Sequence, residues 1–288
     1  MKPDVACGPC LLKWVYERSG VLAGEEHRFR LMKEILQVLS REFHPTVNVG
    51  WLSNRIVDSI HEFVIDSAAY YEGLKLQSNK LAEDLSTPAR NFIEKGLSPR
   101  EKLQRAFGLS AAANVAPIGA PSEGFKFREA LNIMMAKNPF PTLMGDVLKA
   151  TQDATRVLFI TDNAGEIGFD SLLIARLKEM GLRINLMVKE EPFFEDATMK
   201  DAAYFGLEKL VDDISVVKGF FVPDKSPPSQ RDLFEESDLV IAKGTGNYEA
   251  LKGELGGKKA IFMLKVKCEP IATNSGVDSG SFVVKLEP

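Results

Sequence analysis

Residues 155–170, TRVLFITDNAGEIGFD, carry the strongest fold signal in this chain. Five apolar or β-branched residues, 157–161, lead into the polar turn DNAGE of residues 162–166, and apolar residues at helical spacing follow the turn. A short apolar run, a turn with glycine and then a helix are typical of the step from a β-strand to an α-helix in an α/β sheet. Because ligands bind at the carboxyl ends of the strands in such sheets, Asp162 and Asn163 are candidate site residues.

The second half of the chain continues this pattern. Its apolar segments alternate for the most part with helical segments, which indicates a mostly parallel sheet covered by helices on both faces. The last segment follows a short connection, so it suits an antiparallel edge strand. We therefore predict an α/β fold, with a three-layer α/β/α, Rossmann-like domain over residues 154–288. The candidate strands are 156–161, 183–188, 213–217, 238–242, 259–264 and 281–286.

The first half reads as helices instead. Apolar residues recur at helical spacing through residues 7–110, where no strand pattern of useful length occurs. The sequence SPRE at 98–101 has the composition of a helix start, with a capping serine, a proline at the first position and a glutamate three residues after the cap. We predict an N-terminal all-helical domain over residues 1–110. A loop of small residues, proline and glycine over 110–125 and a helix at 127–136 then make up most of a connecting segment, 111–153.

The composition is that of a globular protein without a nucleic-acid or membrane signature. Its 36 Lys and Arg against 40 Asp and Glu give a formal net charge of −4, so no basic surface for nucleic acid is implied. No apolar run approaches the roughly 18–20 residues that a membrane span needs. The N-terminus also lacks the apolar core of a signal peptide. We expect a cytoplasmic protein whose partner is a small molecule, and the oligomeric state stays open.

Four polar clusters follow predicted strands, at residues 162–166, 195–198, 243–248 and 264–268. Because the carboxyl ends of parallel strands share one edge of the sheet, these clusters are expected to converge. Two carboxylates and an amide would bind a metal ion there, while lysines would bind an anion. This is the layout of metal-assisted phosphoryl chemistry, in which a metal-activated water attacks the phosphorus. Oxygen ligands favour Mg²⁺ or Mn²⁺, with Co²⁺ or Ni²⁺ as further options.

Other phosphate and nucleotide sites have different sequence patterns. A dinucleotide site requires G-x-G-x-x-G after the first strand, whereas this turn has the single glycine Gly165. A Walker A loop, G-x-x-x-x-G-K-[ST], does not occur. A phosphatase with an aspartyl nucleophile commonly shows D-x-D, but Ala164 occupies the second position after Asp162. Direct attack by a metal-activated water therefore fits this turn better than a phospho-aspartate.

Other interpretations of the same residues stay open at this point. Asp162 and Asn163 also suit a turn and a helix N-cap, and Asp196 suits the N-cap of a helix over 197–205. A Rossmann-like sheet is also compatible with a methyltransferase that uses S-adenosylmethionine, although the glycine-rich first loop of that class is missing. A non-catalytic sensor of a phosphorylated ligand would carry the same residues.

Four ordered blocks, FITDNAGEIGFD, FFEDATMKDA, AKGTGNYEAL and LKVKCEPIA, resemble the signature blocks of the damage-control phosphatase family. The N-terminal CGPCLLKWV and the IGAPSEGFKFREAL region resemble the archaeal-type branch of that family. The resemblance covers nearly the whole chain. It implies a helical domain on an α/β/α domain and metal-dependent hydrolysis of small phosphorylated metabolites, either sugar phosphates or damaged phospho-metabolites.

The resemblance also implies which residues do the chemistry. One divalent metal ion would be held by Asp162, Asn163 and Asp196. Glu166 would lie near the metal and the substrate, and Lys267 would hold the phosphate. The implied catalytic residues are therefore Asp162, Glu166 and Lys267.

Substrate contacts are implied as well. They would come from Asn114, Lys243, Gly244 and Asn247. In relatives the loop around Asn114 often reads Gly-Asn-x-x-Asp, whereas this chain reads ANVAP at 113–117. The asparagine is kept and the aspartate is absent, so the resemblance leaves the identity of the substrate open.

The cysteines require a separate interpretation. Cys7 and Cys10 form a C-x-x-C at a predicted helix start, and Cys268 lies in the last block. A structural role, as buried thiols or as a disulfide, is favoured. A redox pair would normally follow a strand, and a zinc site would need a fourth ligand such as a histidine. The histidines lie in helical segments and are not predicted to be catalytic: His27, His44 and His61.

Overall fold

The computed structural model describes residues 1–21, 24–115, 126–136 and 143–288. Within these ranges the chain forms one seven-stranded sheet and twelve α-helices, so the predicted α/β class is confirmed. None of the described helices is long and apolar enough to cross a membrane. The predicted loop over 110–125 lies for the most part outside the described residues, and its first residues continue a helix to Ala112.

The six predicted strands are all present, each within one residue of its predicted bounds. A seventh strand of two residues is too short to give a periodic pattern in the sequence. In chain order the strands are β1 (Leu143–Met144), β2 (Arg156–Ile160), β3 (Arg183–Lys189), β4 (Asp213–Val217), β5 (Leu239–Lys243), β6 (Ala260–Lys265) and β7 (Phe282–Glu287).

The sheet has the strand order β1-β7-β6-β5-β2-β3-β4. Strand β7 is antiparallel to β6, as expected, and the other pairs among the described strands are parallel. The expectation that the last strand lies at the edge is wrong, because β1 pairs with the outer side of β7. Strand β3 pairs with one side of β2 and β4 pairs with β3, whereas β5 pairs with the other side of β2. The switch point of the sheet, where open α/β folds bind ligands, therefore lies between β2 and β5.

The helices include the two features that the sequence predicts most specifically. The predicted helix at 127–136 is α6, and the predicted start at 98–101 is confirmed, because Ser98 Oγ accepts from the Glu101 N–H at 3.1 Å. In chain order the helices are α1 (Cys7–Arg18), α2 (Glu25–Glu42), α3 (Val49–Ser59), α4 (His61–Glu94), α5 (Pro99–Ala112), α6 (Phe127–Ala136), α7 (Val147–Asp153), α8 (Glu166–Glu179), α9 (Met199–Tyr204), α10 (Pro228–Glu236), α11 (Gly244–Leu251) and α12 (Glu269–Ser275).

The central strands bury both of their faces. Val157 and Phe159 of β2 lie in one hydrophobic core, whereas Leu158 and Ile160 lie in another. Successive side chains of a strand point to opposite faces, so the two cores lie on opposite sides of the sheet. Helices α5 and α8 contribute to the first core, and α11 and α12 contribute to the second. This is the predicted three-layer α/β/α arrangement.

A third core connects the N-terminal helices to the sheet. It is formed mainly by α1, α2, α3 and the first half of α4. Phe193 and Phe194, from the segment after β3, also belong to this core. Helix α5 differs, because its Phe107 lies in the same core as the sheet residues. The predicted boundaries of the helical domain, the connecting segment and the α/β/α domain, after residues 110 and 153, stay predictions.

Close helix packing at Gly50 generates a stability prediction. A Cβ atom on Gly50 in α3 would lie 2.5 Å from the Cβ of Ala250 in α11. We expect Gly50→Ala to lower the free energy of unfolding by about 1–3 kcal/mol, because the two helices would have to separate. Urea unfolding followed by far-UV circular dichroism measures the change.

Gly73→Ala is the matched control for this substitution. Gly73 is exposed in the middle of α4, and a Cβ there would meet nothing within 4 Å. Alanine is therefore expected to raise the free energy of unfolding by about 0.5–1 kcal/mol. A Gly50→Ala variant as stable as the wild type would contradict the close packing of α3 on α11.

Candidate metal and phosphate site

The chain segments that follow β2 and β3 pair with each other through their backbones. Two N–H···O=C bonds of 2.8 and 2.9 Å join residues 162–164 to residues 195–197. They flank an antiparallel bridge between Asn163 and Asp196. This pairing brings both residues, together with Asp162, to the carboxyl end of β2 beside the switch point.

The helix-capping interpretations of these acids are wrong. The helix that follows β2 has Gly165 at its N-cap, with a φ of 74° and no side-chain cap. The helix that follows Asp196 starts at 199 and is capped by Thr198, which forms a capping box with Asp201. The carboxylate of Asp162 and that of Asp196 are therefore not used as helix caps.

Two asparagine amides hold the carboxylates of this turn in place. Asn114 Nδ2 donates to Asp162 Oδ2 at 2.8 Å and to Glu166 Oε2 at 3.0 Å. Asn163 Nδ2 donates to the same Asp162 oxygen at 2.8 Å and to Glu166 Oε1 at 2.9 Å. Asn114 is fully buried, and its Oδ1 accepts from the Lys265 N–H at 3.1 Å. In this structure Asn114 orients Asp162, and its predicted contact with the substrate stays a prediction.

Two lysines face these acids. Lys189, the last residue of β3, has its Nζ 3.4 Å from Asp196 Oδ2 and donates to the Gly219 carbonyl at 2.6 Å. Lys267 attracts Asp162, and the two line the same cavity. Sequence reasoning missed Lys189 as a site residue. The available signal was a lysine that directly follows the apolar run 186–188 at the carboxyl end of β3, the strand next to β2.

Burial dominates the ionisation of these groups. Removal from water raises the pKa of Asp162, and it raises the pKa of Glu166 and the pKa of Asp196 to about 8. The charge of Asp162 raises the Glu166 pKa further. Burial also lowers the pKa of Lys189 and the pKa of Lys267, which nearby carboxylates partly oppose. A site that penalises negative charge in this way would be stabilised by an added cation.

A cavity of about 160 Å³ opens beside these residues. Its wall contains four of the predicted site residues, namely Asp162, Asn163, Asp196 and Lys267. Aromatic side chains, mostly from the third core, line another part of the wall. The structure therefore brings the three predicted metal ligands and the predicted phosphate-binding lysine around one space.

A larger cleft of about 340 Å³ shares two wall residues with this cavity, Phe193 and Phe220. Neither Asp162 nor Asp196 lines it. The smaller cavity is the candidate site, because the paired acids and Lys267 face that space.

Two of the predicted substrate contacts, Lys243 and Asn247, lie behind the cavity wall. Lys243 is fully buried, and its Nζ donates to Asp170 Oδ1 at 2.9 Å and to the Ser110 carbonyl. Asn247 Nδ2 donates to the carbonyls of Thr161 and Lys243, both at 2.8 Å. These bonds support the backbone at the ends of β2 and β5, on either side of the switch point.

The donor chemistry at the cavity fits one hard divalent cation. The described residues contain no cluster of three or more His, Cys, Asp or Glu side chains that could hold a metal ion. They do offer two carboxylates and one amide oxygen, from Asp162, Asp196 and Asn163. Mg²⁺-type ions need no larger set, because they bind through one or two carboxylates and keep several waters. Among the described residues Asp196 Oδ2 accepts no hydrogen bond of good geometry, and the Lys189 ammonium 3.4 Å away is its charge partner, so a divalent cation could take this oxygen as a ligand.

The three cysteines line the same cavity as free thiols. Of the two structural roles predicted for them, the thiol form is the one present, and no disulfide joins them. Burial raises the pKa of Cys10 to about 11 and also raises the pKa of Cys7 and that of Cys268. Burial therefore favours the protonated thiol over the thiolate at all three cysteines.

The family model for the damage-control phosphatase ARMT1-like domain matches residues 4–283. The chain belongs to this family. Membership confirms the predicted family and the phosphatase class, and it favours a phosphatase over the methyltransferase alternative. The archaeal-type assignment based on the N-terminal C-x-x-C stays a prediction.

Individual relatives match over almost their whole lengths. The chain is 29% identical over 292 residues to a damage-control phosphatase of Archaeoglobus fulgidus, with 99% of each chain covered. It is 26% identical over 288 residues to a damage-control phosphatase of Pyrococcus horikoshii, with 98% of this chain and 97% of that one covered. It is also similar in fold to the crystal structure of a DUF89-family protein from Pyrococcus horikoshii, with a TM-score of 0.80, 24% identity and 99% and 98% of the two chains covered.

Gly244 generates a prediction, because it packs directly against the Asp162 carboxylate. Its φ is 80°, and a Cβ there would lie 2.1 Å from Asp162 Oδ2. We expect Gly244→Ala to displace that carboxylate and to remove most of the rise in melting temperature that Mn²⁺ produces in the wild type. Thermal unfolding with and without Mn²⁺ measures the effect.

Gly253→Ala separates the clash from backbone strain. Gly253 has a φ of 88°, but a Cβ there would meet nothing within 4 Å. This variant should lose about 1–2 kcal/mol of stability from the left-handed conformation and keep the full response to Mn²⁺. An unchanged Mn²⁺ response in Gly244→Ala would show that Asp162 does not hold the ion.

Proposed function

We propose that this protein is a metal-dependent phosphomonoesterase in which one divalent ion is held by Asp162, Asn163 and Asp196. The observation that carries this proposal is the backbone pairing of residues 162–164 with residues 195–197, since it aligns these donors on one cavity wall. Mn²⁺ or Mg²⁺ is the preferred ion, with Co²⁺ or Ni²⁺ as further options, because the donors are oxygens.

Each residue has a separate role in the proposed reaction. A bound divalent ion would polarise the phosphoryl group and make water a stronger nucleophile near neutral pH. Lys267 attracts the phosphate and offsets the charge that builds on its oxygens. The resemblance implies a catalytic role for Glu166, but this residue is fully buried and is not among the residues that line the cavity. It holds the Asn163 amide, which in turn fixes Asp162, so we assign it a positioning role instead. Lys189 orients Asp196 from the other side.

The proposed substrates are small phosphorylated metabolites, either sugar phosphates or damaged phospho-metabolites. The names of the relatives from Archaeoglobus fulgidus and Pyrococcus horikoshii, both damage-control phosphatases, support this class. The volume of the cavity, about 160 Å³, suits a small organic group better than a polymer. A cytoplasmic location and the lack of nucleic-acid and membrane partners stay predictions from composition.

Removal of the Asp162 charge should abolish turnover. We expect Asp162→Asn to lower kcat/KM for p-nitrophenyl phosphate with Mn²⁺ by at least about 100-fold, because the charged ligand is lost from the centre that stabilises the reacting phosphate. Asp66→Asn, at an exposed position on α4, is the control and should keep the wild-type rate. Wild-type activity in Asp162→Asn would refute the proposed site. A wild type that binds phosphate esters without releasing phosphate would instead indicate a sensor.

The raised carboxyl pKa values predict how metal binding depends on pH. In the metal-free protein Glu166 and Asp196 hold protons more tightly than in the unfolded chain, so the stability that these two acids contribute falls as the pH rises from the usual carboxyl range through about 8. A bound cation displaces these protons. The affinity for Mn²⁺ should therefore rise between pH 6.5 and 8, by up to about tenfold per pH unit for each proton released.

Calorimetry at several pH values measures this affinity, and buffers of different ionisation enthalpy count the protons released. The urea stability of the metal-free protein over the same range is the control and should fall with rising pH. A Mn²⁺ affinity that does not change between pH 6.5 and 8 would mean that the acids at the metal site are already ionised.

A further inference from the structure

Glu195 is a buried carboxylate on the cavity wall that the proposed metal chemistry does not use. It is 6% exposed, precedes Asp196 in the chain and lines the same cavity. Its Oε1 accepts a hydrogen bond from Arg18 Nη2. Its Oε2 has no hydrogen-bond partner within the described part of the chain. Buried acceptors are almost always satisfied, so this oxygen is free to accept a hydrogen bond from a water or from a ligand in the cavity.

Arg18 holds Glu195 in one orientation. Arg18 is 3% exposed, and its guanidinium lies 5.2 Å from the ring centroid of Trp14 and 5.0 Å from that of Phe194. Phe194 itself has a φ of 52°, a conformation that a residue with a side chain keeps only when its surroundings enforce it. Two aromatic rings and the ion pair therefore fix the guanidinium, and with it the carboxylate on the cavity wall.

The charge balance at Glu195 selects the kind of donor. Its negative charge is already balanced by Arg18, and both side chains are buried. A ligand ammonium would add a second cation to a neutral pair, whereas a neutral hydroxyl would gain a charge-assisted hydrogen bond. The adjacent wall is aromatic, from Trp14, Phe193 and Phe194, and it suits the carbon frame of a small organic group.

We propose that Glu195, positioned by Arg18, determines substrate specificity by accepting a hydrogen bond at Oε2 from a hydroxyl group on the organic part of the phosphate ester. The inference rests on the proposed function, because the proposed function places the phosphate group of the ester beside Lys267, Asp162 and Asp196. Esters of hydroxylated alcohols are then preferred over esters of purely apolar alcohols. The ion pair joins α1 of the helical part to the segment after β3, so the N-terminal helices contribute directly to specificity.

Matched substrate pairs test this proposal. One pair is glycerol 1-phosphate with propyl phosphate, and the other is glucose 6-phosphate with cyclohexylmethyl phosphate. We expect the wild type to prefer the hydroxylated member of at least one pair by about tenfold or more in kcat/KM, the size of effect that a hydrogen bond to a charged group gives. Glu195→Gln should reduce this preference at least about fivefold, because its amide keeps Arg18 on the oxygen and presents a donor to the cavity.

The readout is the ratio of the kcat/KM values of the two members of a pair. Loss of the Glu195 charge could also affect the neighbouring metal site, but any such effect acts on both members and cancels in the ratio. The double variant Arg18→Met/Glu195→Leu removes both charges and leaves neither partner unpaired, so it covers the case in which Glu195→Gln fails to fold. Glu72→Gln is the matched control, because it removes a charge from the exposed Lys200–Glu72 ion pair, and its ratios should equal those of the wild type.

Equilibrium binding of the same pairs, measured by calorimetry with EDTA so that metal-dependent turnover is stopped, separates this inference from the proposed function. Turnover with the same preference in the wild type and both Glu195 variants would overturn the role of Glu195 and leave the phosphatase intact. Binding that shows a Glu195-dependent preference without any turnover would support the role of Glu195 and refute the proposed phosphatase activity. A wild type that shows no preference in either pair, in turnover or in binding, would also overturn the inference.

Discussion

Two backbone hydrogen bonds between residues 162–164 and residues 195–197 are the contacts on which the rest of the site depends. They tie the turn after β2 to the segment after β3, so that acids from two strand ends share one wall. Like charges in a buried space repel each other, and side-chain contacts alone would let them separate. Because the pairing is made by the backbone, the acids stay together whichever protonation state they adopt. The amides of Asn114 and Asn163 then fix the direction of the Asp162 carboxylate.

The site also depends on a balance of buried charge. Lys189 and Lys267 offset part of the negative charge of the aspartates, and Lys243 does the same for Asp170 behind the wall. The raised pKa values of Glu166 and Asp196 mean that this compensation is incomplete in the metal-free protein. A divalent cation would complete it. Folding stability and metal affinity are therefore linked through the same groups.

Much of this architecture could be predicted from the sequence, because it depends on local patterns. The strand bounds follow from short apolar runs, and the start of α5 follows from its Ser-Pro-x-Glu signature. The positions of polar side chains could not be predicted in the same way. Lys243 ends β5 and Asn247 lies in the helix after it, at a strand end comparable to that of Asp162, yet both side chains lie behind the wall, and only their tertiary partners decide this. The Arg18–Glu195 pair joins residues 177 positions apart, which no local pattern reports.

A crystal structure of the protein grown with Mn²⁺, with anomalous data collected at the manganese edge, tests the central claim most directly. We predict one anomalous peak in the cavity, within bonding distance of carboxylate oxygens from both Asp162 and Asp196. A manganese ion bound elsewhere, with Asp196 still paired to Lys189 and remote from the metal, would contradict it.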